Sequence, residues 1–172
     1  MEECSVLDER YGNRLELMYN YGWKELKGDI SEHFPTLRKY ASQCKHVTEF
    51  GTRGVVSTYA LMAGKPEKLV TYDLVPNGNI WTADDVAKGA GIKLEFMERD
   101  TTKCEIEETD LLFIDTLHNY SQLKKELDLH HGKVRKYLIF HDTTSYRDWE
   151  TDRKSTRLNS SHSAKSRMPS SA

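Results

Sequence analysis

Five short apolar runs alternate with stretches of helical periodicity, and that alternation leaves the chain few folds to choose from. The runs are "HVTEFG" (46–51), "KLVTYDL" (68–74), "KLEFMERD" (93–100), "DLLFIDT" (110–116) and "YLIFHDT" (137–143). Between them lie "VVSTYALMAG" (55–64), "IWTADDVAKGAG" (80–91) and "SQLKKELDLHHG" (121–132), the last with Leu123 and Leu127 on one face and Gly132 as its stop. A strand that feeds a helix that feeds the next strand makes parallel βαβ units, and these build a doubly wound α/β sheet with helices on both faces. No internal repeat is present.

In such a sheet ligands bind outside the carboxyl ends of the strands, where the strand order reverses. The residues there are Glu49 and Gly51, Asp73, Asp100, Asp115, and His141 with Asp142. One acid at a strand end is ordinary turn chemistry; five along one rim point to a ligand. The first loop, "EFGTRGVVST", has Gly51 and Gly54, where the backbone can approach a ligand closely. It lacks the nicotinamide-cofactor pattern G-x-G-x-x-G, because Arg53 and Val56 stand where glycines would be, and no P-loop occurs. Asp73 ends the second strand, where a carboxylate can accept both hydroxyls of a ribose; a turn acid before "VPNGN" is the alternative.

Asp115 and Asp142 end neighbouring strands, which lie about 4.8 Å apart, so their side chains can converge. Two carboxylates with open positions suit Mg²⁺ or a similar divalent ion. His118 follows three residues after Asp115, where an imidazole can serve as a general base or help cap the helix that begins near Asn119. His141 either joins the two acids or points into packing.

Outside the alternating core, residues 1–45 read as polar cap helices, with Phe34, Leu37 and Tyr40 or Ala41 at helical spacing and Pro35 in a first turn. The stretch 151–172 carries seven serines and almost no apolar side chains, the composition of a disordered tail. A basic nucleic-acid-binding tail is one reading of it. Another is foreign sequence, since the string resembles translated sequencing-adapter DNA; the natural chain would then continue differently after about Trp149. Residues 46–150 are the expected core domain. Net charge divides accordingly, with 20 basic and 26 acidic residues up to Glu150 against five and one beyond it. An acidic body argues against nucleic acid as a partner and for a small molecule. Three scattered cysteines, Cys4, Cys44 and Cys104, suggest free thiols in a reducing, cytoplasmic setting, and no apolar run is long enough for a membrane span.

Taken together, "VTEFGTRGVVSTYAL", "LVTYDL", "FIDTLHNY" and "YLIFHDT" resemble class I S-adenosylmethionine-dependent methyltransferases. The nearest branch is the metal-dependent O-methyltransferases grouped with cephalosporin-hydroxylase-like and macrolide-sugar methyltransferase proteins. The resemblance covers roughly residues 30 to 146. It implies a three-layer Rossmann-like sheet of order 3-2-1-4-5. It also implies that Glu49, Gly51, Thr52, Gly54 and Ser57 hold the methionine part of S-adenosylmethionine, Asp73 its ribose, and that Asp100 sits by its adenine. Asp115, Asp142 and His141 would bind Mg²⁺, and His118 would be the base that deprotonates a hydroxyl of a sugar or polyketide acceptor. The alternatives are a hydroxylase-like enzyme on the same fold or an inactive binding fragment. The sequence departs from the family at Val56, at the His-Asp pair, and in showing no sixth or seventh strand, which reads as a truncation.

Overall fold

The computed structural model describes residues 14–26 and 28–142, and the backbone of 165–166. Its sheet has five parallel strands, β1 (His46–Phe50), β2 (Lys68–Asp73), β3 (Lys93–Glu98), β4 (Thr109–Ile114) and β5 (Val134–Phe140). They run in the order β3-β2-β1-β4-β5, so the order reverses between β1 and β4. The helices are α1 (14–24), α2 (Phe34–Ala41), α3 (Val56–Met62), α4 (Asn79–Gly89) and α5 (Tyr120–His130). This is the doubly wound fold that the alternation implies.

Burial follows strand position. Every residue of β4 is buried, and β1 is buried from Val47 on, whereas β3 and β5, further out, are mostly half-buried or exposed. Alternate residues of β4 feed two cores, since successive strand side chains face opposite ways. Leu111 and Phe113 join Val47 and Leu69 against α1 to α4, through Leu15, Phe34, Leu37, Leu61 and Val86. Leu112 and Ile114 join Phe50, Val70 and Tyr72 against α5, through Leu123 and Leu127. Each such side chain, fully buried, contributes about 1.5–3 kcal/mol. Gly64, after α3, lies so close to α2 that an added Cβ would fall 2.6 Å from Ala41 Cβ.

Helix starts follow local chemistry. Asn119 caps α5, its side chain accepting the Gln122 N–H at 2.8 Å, and Pro35 stands in the first turn of α2. Strand β5 begins three residues earlier than the apolar run suggests and ends at Phe140. Arg135 and Lys136 fit within it because that part of the strand is exposed. His141 and Asp142 therefore lie just past the strand, Asp142 in a left-handed conformation (φ 51°). A two-residue strand, β6 (Lys165–Ser166), pairs antiparallel with Tyr137 and Leu138, a pairing the serine-rich composition does not suggest. The rest of the expected tail, and residues 143–150, lie outside the described residues.

Candidate active site at the β1–β4 switch point

The loops after β1 and β4 touch. Gly51, at φ 90°, sits so close to Asp115 that an added Cβ would fall 2.0 Å from the Asp115 carbonyl oxygen, so neither the space nor the backbone admits another residue. Beyond it Arg53 (φ 39°) and Val55 (φ 67°) are also left-handed, an uncommon state for a β-branched residue. Asp73 ties this loop down. Its Oδ2 accepts the Arg53 N–H and its Oδ1 the Leu74 N–H, each at 2.7 Å. Each carboxylate oxygen keeps a further acceptor position, and the residue is partly exposed. At Gly54 an added Cβ would meet only the Val56 side chain, at 3.6 Å, an ordinary contact. A cavity of about 320 Å³ borders it, lined by Met18, Tyr21, Phe34, Gly54, Tyr59 and Thr82 among others.

Three of the residues expected to touch a cofactor have buried side chains instead. Glu49 is 0% exposed and accepts hydrogen bonds from Ser57 Oγ (2.5 Å), Thr58 Oγ1 (2.7 Å) and Thr71 Oγ1 (2.7 Å). Thr52 is buried too and pairs with the Thr71 hydroxyl. Burial pushes the Glu49 carboxyl up to about 7, against the pull of its three hydroxyl donors. No cation faces it among these partners. Glu49, Thr52 and Ser57 thus tie β1, the glycine loop and α3 to one another and to Thr71 of β2, and direct contact of the Glu49 carboxylate with a ligand is not what the structure offers.

Above them a cluster of acids and imidazoles occupies the rim. Asp115 Oδ1 lies 3.0 Å from His141 Nδ1 and 3.2 Å from His118 Nε2. The other nitrogen of His118, Nδ1, lies 3.2 Å from Asp142 Oδ2. So Asp115 and Asp142 meet through the imidazoles between them. Burial alone would raise the Asp115 carboxyl, but the hydrogen bonds and positive charge of His141 and His118 outweigh it and hold it below the usual range. Burial would likewise lower His141, yet Asp115, then Asp142 and Asp29, raise it. Asp100 stands apart in the turn after β3. It pairs with Lys103 Nζ at 2.7 Å and accepts the Thr102 N–H and hydroxyl, which hold it at about 2.

Two contributors come from the segment between α1 and α2 and have no signal in the sequence. His33 packs its ring edge-on against His141, with centroids 5.2 Å apart, while the next residue, Phe34, lines the apolar cavity. Asp29 lies in reach of the same imidazole. Among the described residues, Asp115, His118 and His141 form one group of potential metal ligands, and Asp29, His141 and Asp142 another, with ligand atoms within 4.8 Å of one another in each. Mg²⁺ prefers an all-oxygen shell. The set expected for it is centred on an imidazole, and Asp115 Oδ1 is already shared by two rings, so the donors do not suit Mg²⁺.

No protein-family model matches the chain, and no curated protein matches it in sequence. Solved structures do match. A Burkholderia thailandensis 1,6-didemethyltoxoflavin-N1-methyltransferase with bound 1,6-didemethyltoxoflavin and S-adenosylhomocysteine aligns at TM-score 0.51 and 18% identity, over 81% of this chain and 61% of that one. The chain has the Rossmann-like fold of methyltransferases. The mitomycin 7-O-methyltransferase MmcR aligns at TM-score 0.50 and 12% identity, over 64% of this chain and 36% of its own. An S-adenosylhomocysteine-bound Podospora anserina methyltransferase, PaMTH1, aligns at TM-score 0.49 and 21% identity, over 73% and 60%. The chain thus spans about 60% of the Burkholderia and Podospora enzymes' lengths and less of MmcR. Among the described residues no helix is long and apolar enough to cross a membrane.

Proposed function

We propose that the chain transfers a methyl group from S-adenosylmethionine to a hydroxyl of a small molecule. The observation that carries this reading is the pairing of His118 with Asp115 at the switch point, directly across from the Gly51 loop. The residues there fit an adenosyl cofactor. Asp73 keeps acceptor positions for a ribose diol, and Gly54 opens onto a cavity at the small end of the range for ligand sites. When bound, the cofactor supplies an electrophilic methyl on a positively charged sulfur.

The residues of the chain then have separate tasks. With its hydrogen on Nε2 and donated to Asp115, a neutral His118 ring turns its Nδ1 lone pair to the Asp142 side. An acceptor hydroxyl that displaces Asp142 there loses its proton to Nδ1, and Asp115 stabilises the imidazolium that results. The apolar cavity beside Phe34 holds the body of the acceptor or part of the cofactor and excludes water. Sugar and polyketide hydroxyls are both within this class of acceptor.

Calorimetry with S-adenosylhomocysteine tests the cofactor half: saturable binding that weakens in Asp73→Ala is expected, and no binding by the wild-type chain would remove it. A panel of hydroxylated acceptors assayed by product mass tests the other half, each productive acceptor gaining one CH₂.

A further inference from the structure

Helix α5 turns two kinds of side chain inward. Leu123 and Leu127 pack on the core beside β4 and β5. Next to them Gln122, Glu126 and His130 recur at four-residue spacing, which puts them on one stripe of the helix. Glu126 is 0% exposed and His130 1%. A buried carboxylate is costly unless donors surround it, and Glu126 has three. Its Oε1 accepts hydrogen bonds from Thr101 Oγ1 at 2.6 Å and Gln122 Nε2 at 3.0 Å, and its Oε2 accepts one from Thr116 Oγ1 at 3.0 Å. An apolar side chain would cover the sheet there without that cost, so packing alone does not explain the acid.

The two threonines belong to different rim turns. Thr101 follows Asp100 in the turn after β3, and α5 holds it a second time: its carbonyl oxygen accepts the His130 Nε2 hydrogen at 2.7 Å. Thr116 follows Asp115 in the segment 115–119, which joins β4 to α5. Both ends of that segment are fixed. The Asp115 N–H bonds to the Phe50 carbonyl at 2.9 Å, and Asn119 caps α5. With Thr116 tied to Glu126, the span that carries the imidazole is two residues long, Leu117 and His118. The Asn119 N–H folds back onto the Leu117 carbonyl at 2.7 Å and shortens it further.

We propose that Glu126 is a positioning residue for His118. Through the Thr116 hydroxyl it fixes the segment that carries the imidazole, and on so short a tether the ring keeps its place beside Asp115. Its bond to Thr101 has another purpose, bracing α5 against the turn after β3. Its effect on rate rests on the methyl-transfer reading; its effect on the order of the segment does not.

Glu126→Ala would strip three bonds at once and threatens the fold, so the test uses the threonines. Thr116→Val and Thr101→Val each remove one hydroxyl from the same carboxylate with little change of shape, and Thr116→Ser keeps the hydroxyl. Nitrogen-15 relaxation on the full chain reads the segment directly. The Leu117 and His118 amides should have order parameters of about 0.85 in the wild type and below about 0.6 in Thr116→Val. Thr116→Ser and Thr101→Val should match the wild type. Turnover is compared where circular dichroism shows every variant folded. Thr116→Val should lose about 10–10²-fold in kcat, with the KM for S-adenosylmethionine within about twofold. Thr116→Ser should recover kcat to within about threefold, and Thr101→Val should stay within about twofold. Wild-type order or wild-type kcat in Thr116→Val overturns the assignment, as does a wild-type segment that is already mobile. An equal loss in Thr101→Val also overturns it, leaving Glu126 as a brace and no more. A wild-type chain that neither binds S-adenosylhomocysteine nor methylates a hydroxylated acceptor removes the proposed function, and the order parameters then decide the role of Glu126 on their own.

Discussion

Glu49 lies in β1 and Asp115 just past the end of the adjacent β4, and the two acids have opposite fates. Glu49 is wholly buried among three hydroxyls, and its carboxyl is pushed up to about 7. Asp115 is partly exposed between two imidazoles, and its carboxyl is held low. Register explains the difference. Glu49 aligns with Phe113 and Phe50 with Ile114, so Asp115 stands level with Gly51, two residues further along. At about 3.3 Å per residue, Glu49 is one side-chain layer, roughly 7 Å, below the rim. One layer separates an acid that braces the fold from an acid that can do chemistry. The partners match the depth: hydroxyls satisfy a carboxyl without demanding a charge, whereas imidazoles can take up and release protons.

The sharpest way to break this comparison is to remove one partner from each acid. His118→Ala should cut methyl transfer by about 10²–10⁴-fold while leaving the unfolding midpoint within a small margin, measured by turnover and urea denaturation. An unchanged rate would place the chemistry elsewhere. Glu49→Ala should do the reverse, costing about 2–4 kcal/mol of stability through a cavity and three orphaned hydroxyls, read from the same denaturation curves. Stability equal to wild type would end its bracing role.

The pH dependence sharpens the contrast next. A raised carboxyl binds more protons folded than unfolded, so the Glu49 contribution is greatest below its ordinary value near 4.5 and declines as pH rises through about 7. Glu49→Gln should remove that decline, a change of order 1–3 kcal/mol across the interval. Asp115 has the other sign: its lowered carboxyl contributes above the ordinary carboxylate range, and that contribution is lost as pH falls through the depressed value. His141, raised, contributes below about 6.5 and loses that contribution as pH climbs through its folded value. Stability of Asp115→Asn relative to wild type, followed from pH 3 to 8, should show the gap closing at the acid end. The smallest effect belongs to Asp100, whose carboxylate pairs with Lys103 at the surface; Lys103→Ala should change stability by less than about 0.5 kcal/mol.

Much of the fold was legible because buried parallel strands and amphipathic helices have different periods, and that contrast survives errors of a residue or two at element ends. The rim acids Asp73, Asp115 and Asp142 were legible for the same reason, each lying at or just past the end of an apolar run. Glu49 lies deeper than its place in the apolar run suggests, because one or two residues decide whether a strand-end acid reaches the rim or lies beneath it. Asp29 and His33 could not be read at all. They approach His141 from more than a hundred residues away in the chain, and nothing in a polar cap segment announces which sheet residue it will meet.

The contact between Gly51 and the Asp115 carbonyl has a mechanical meaning. With no gap for even one methyl group between them, the two loops behave as a single rigid plate rather than as independent flaps. A ligand that presses on the glycine loop also shifts the backbone that carries Asp115, and with it the tilt of both imidazoles.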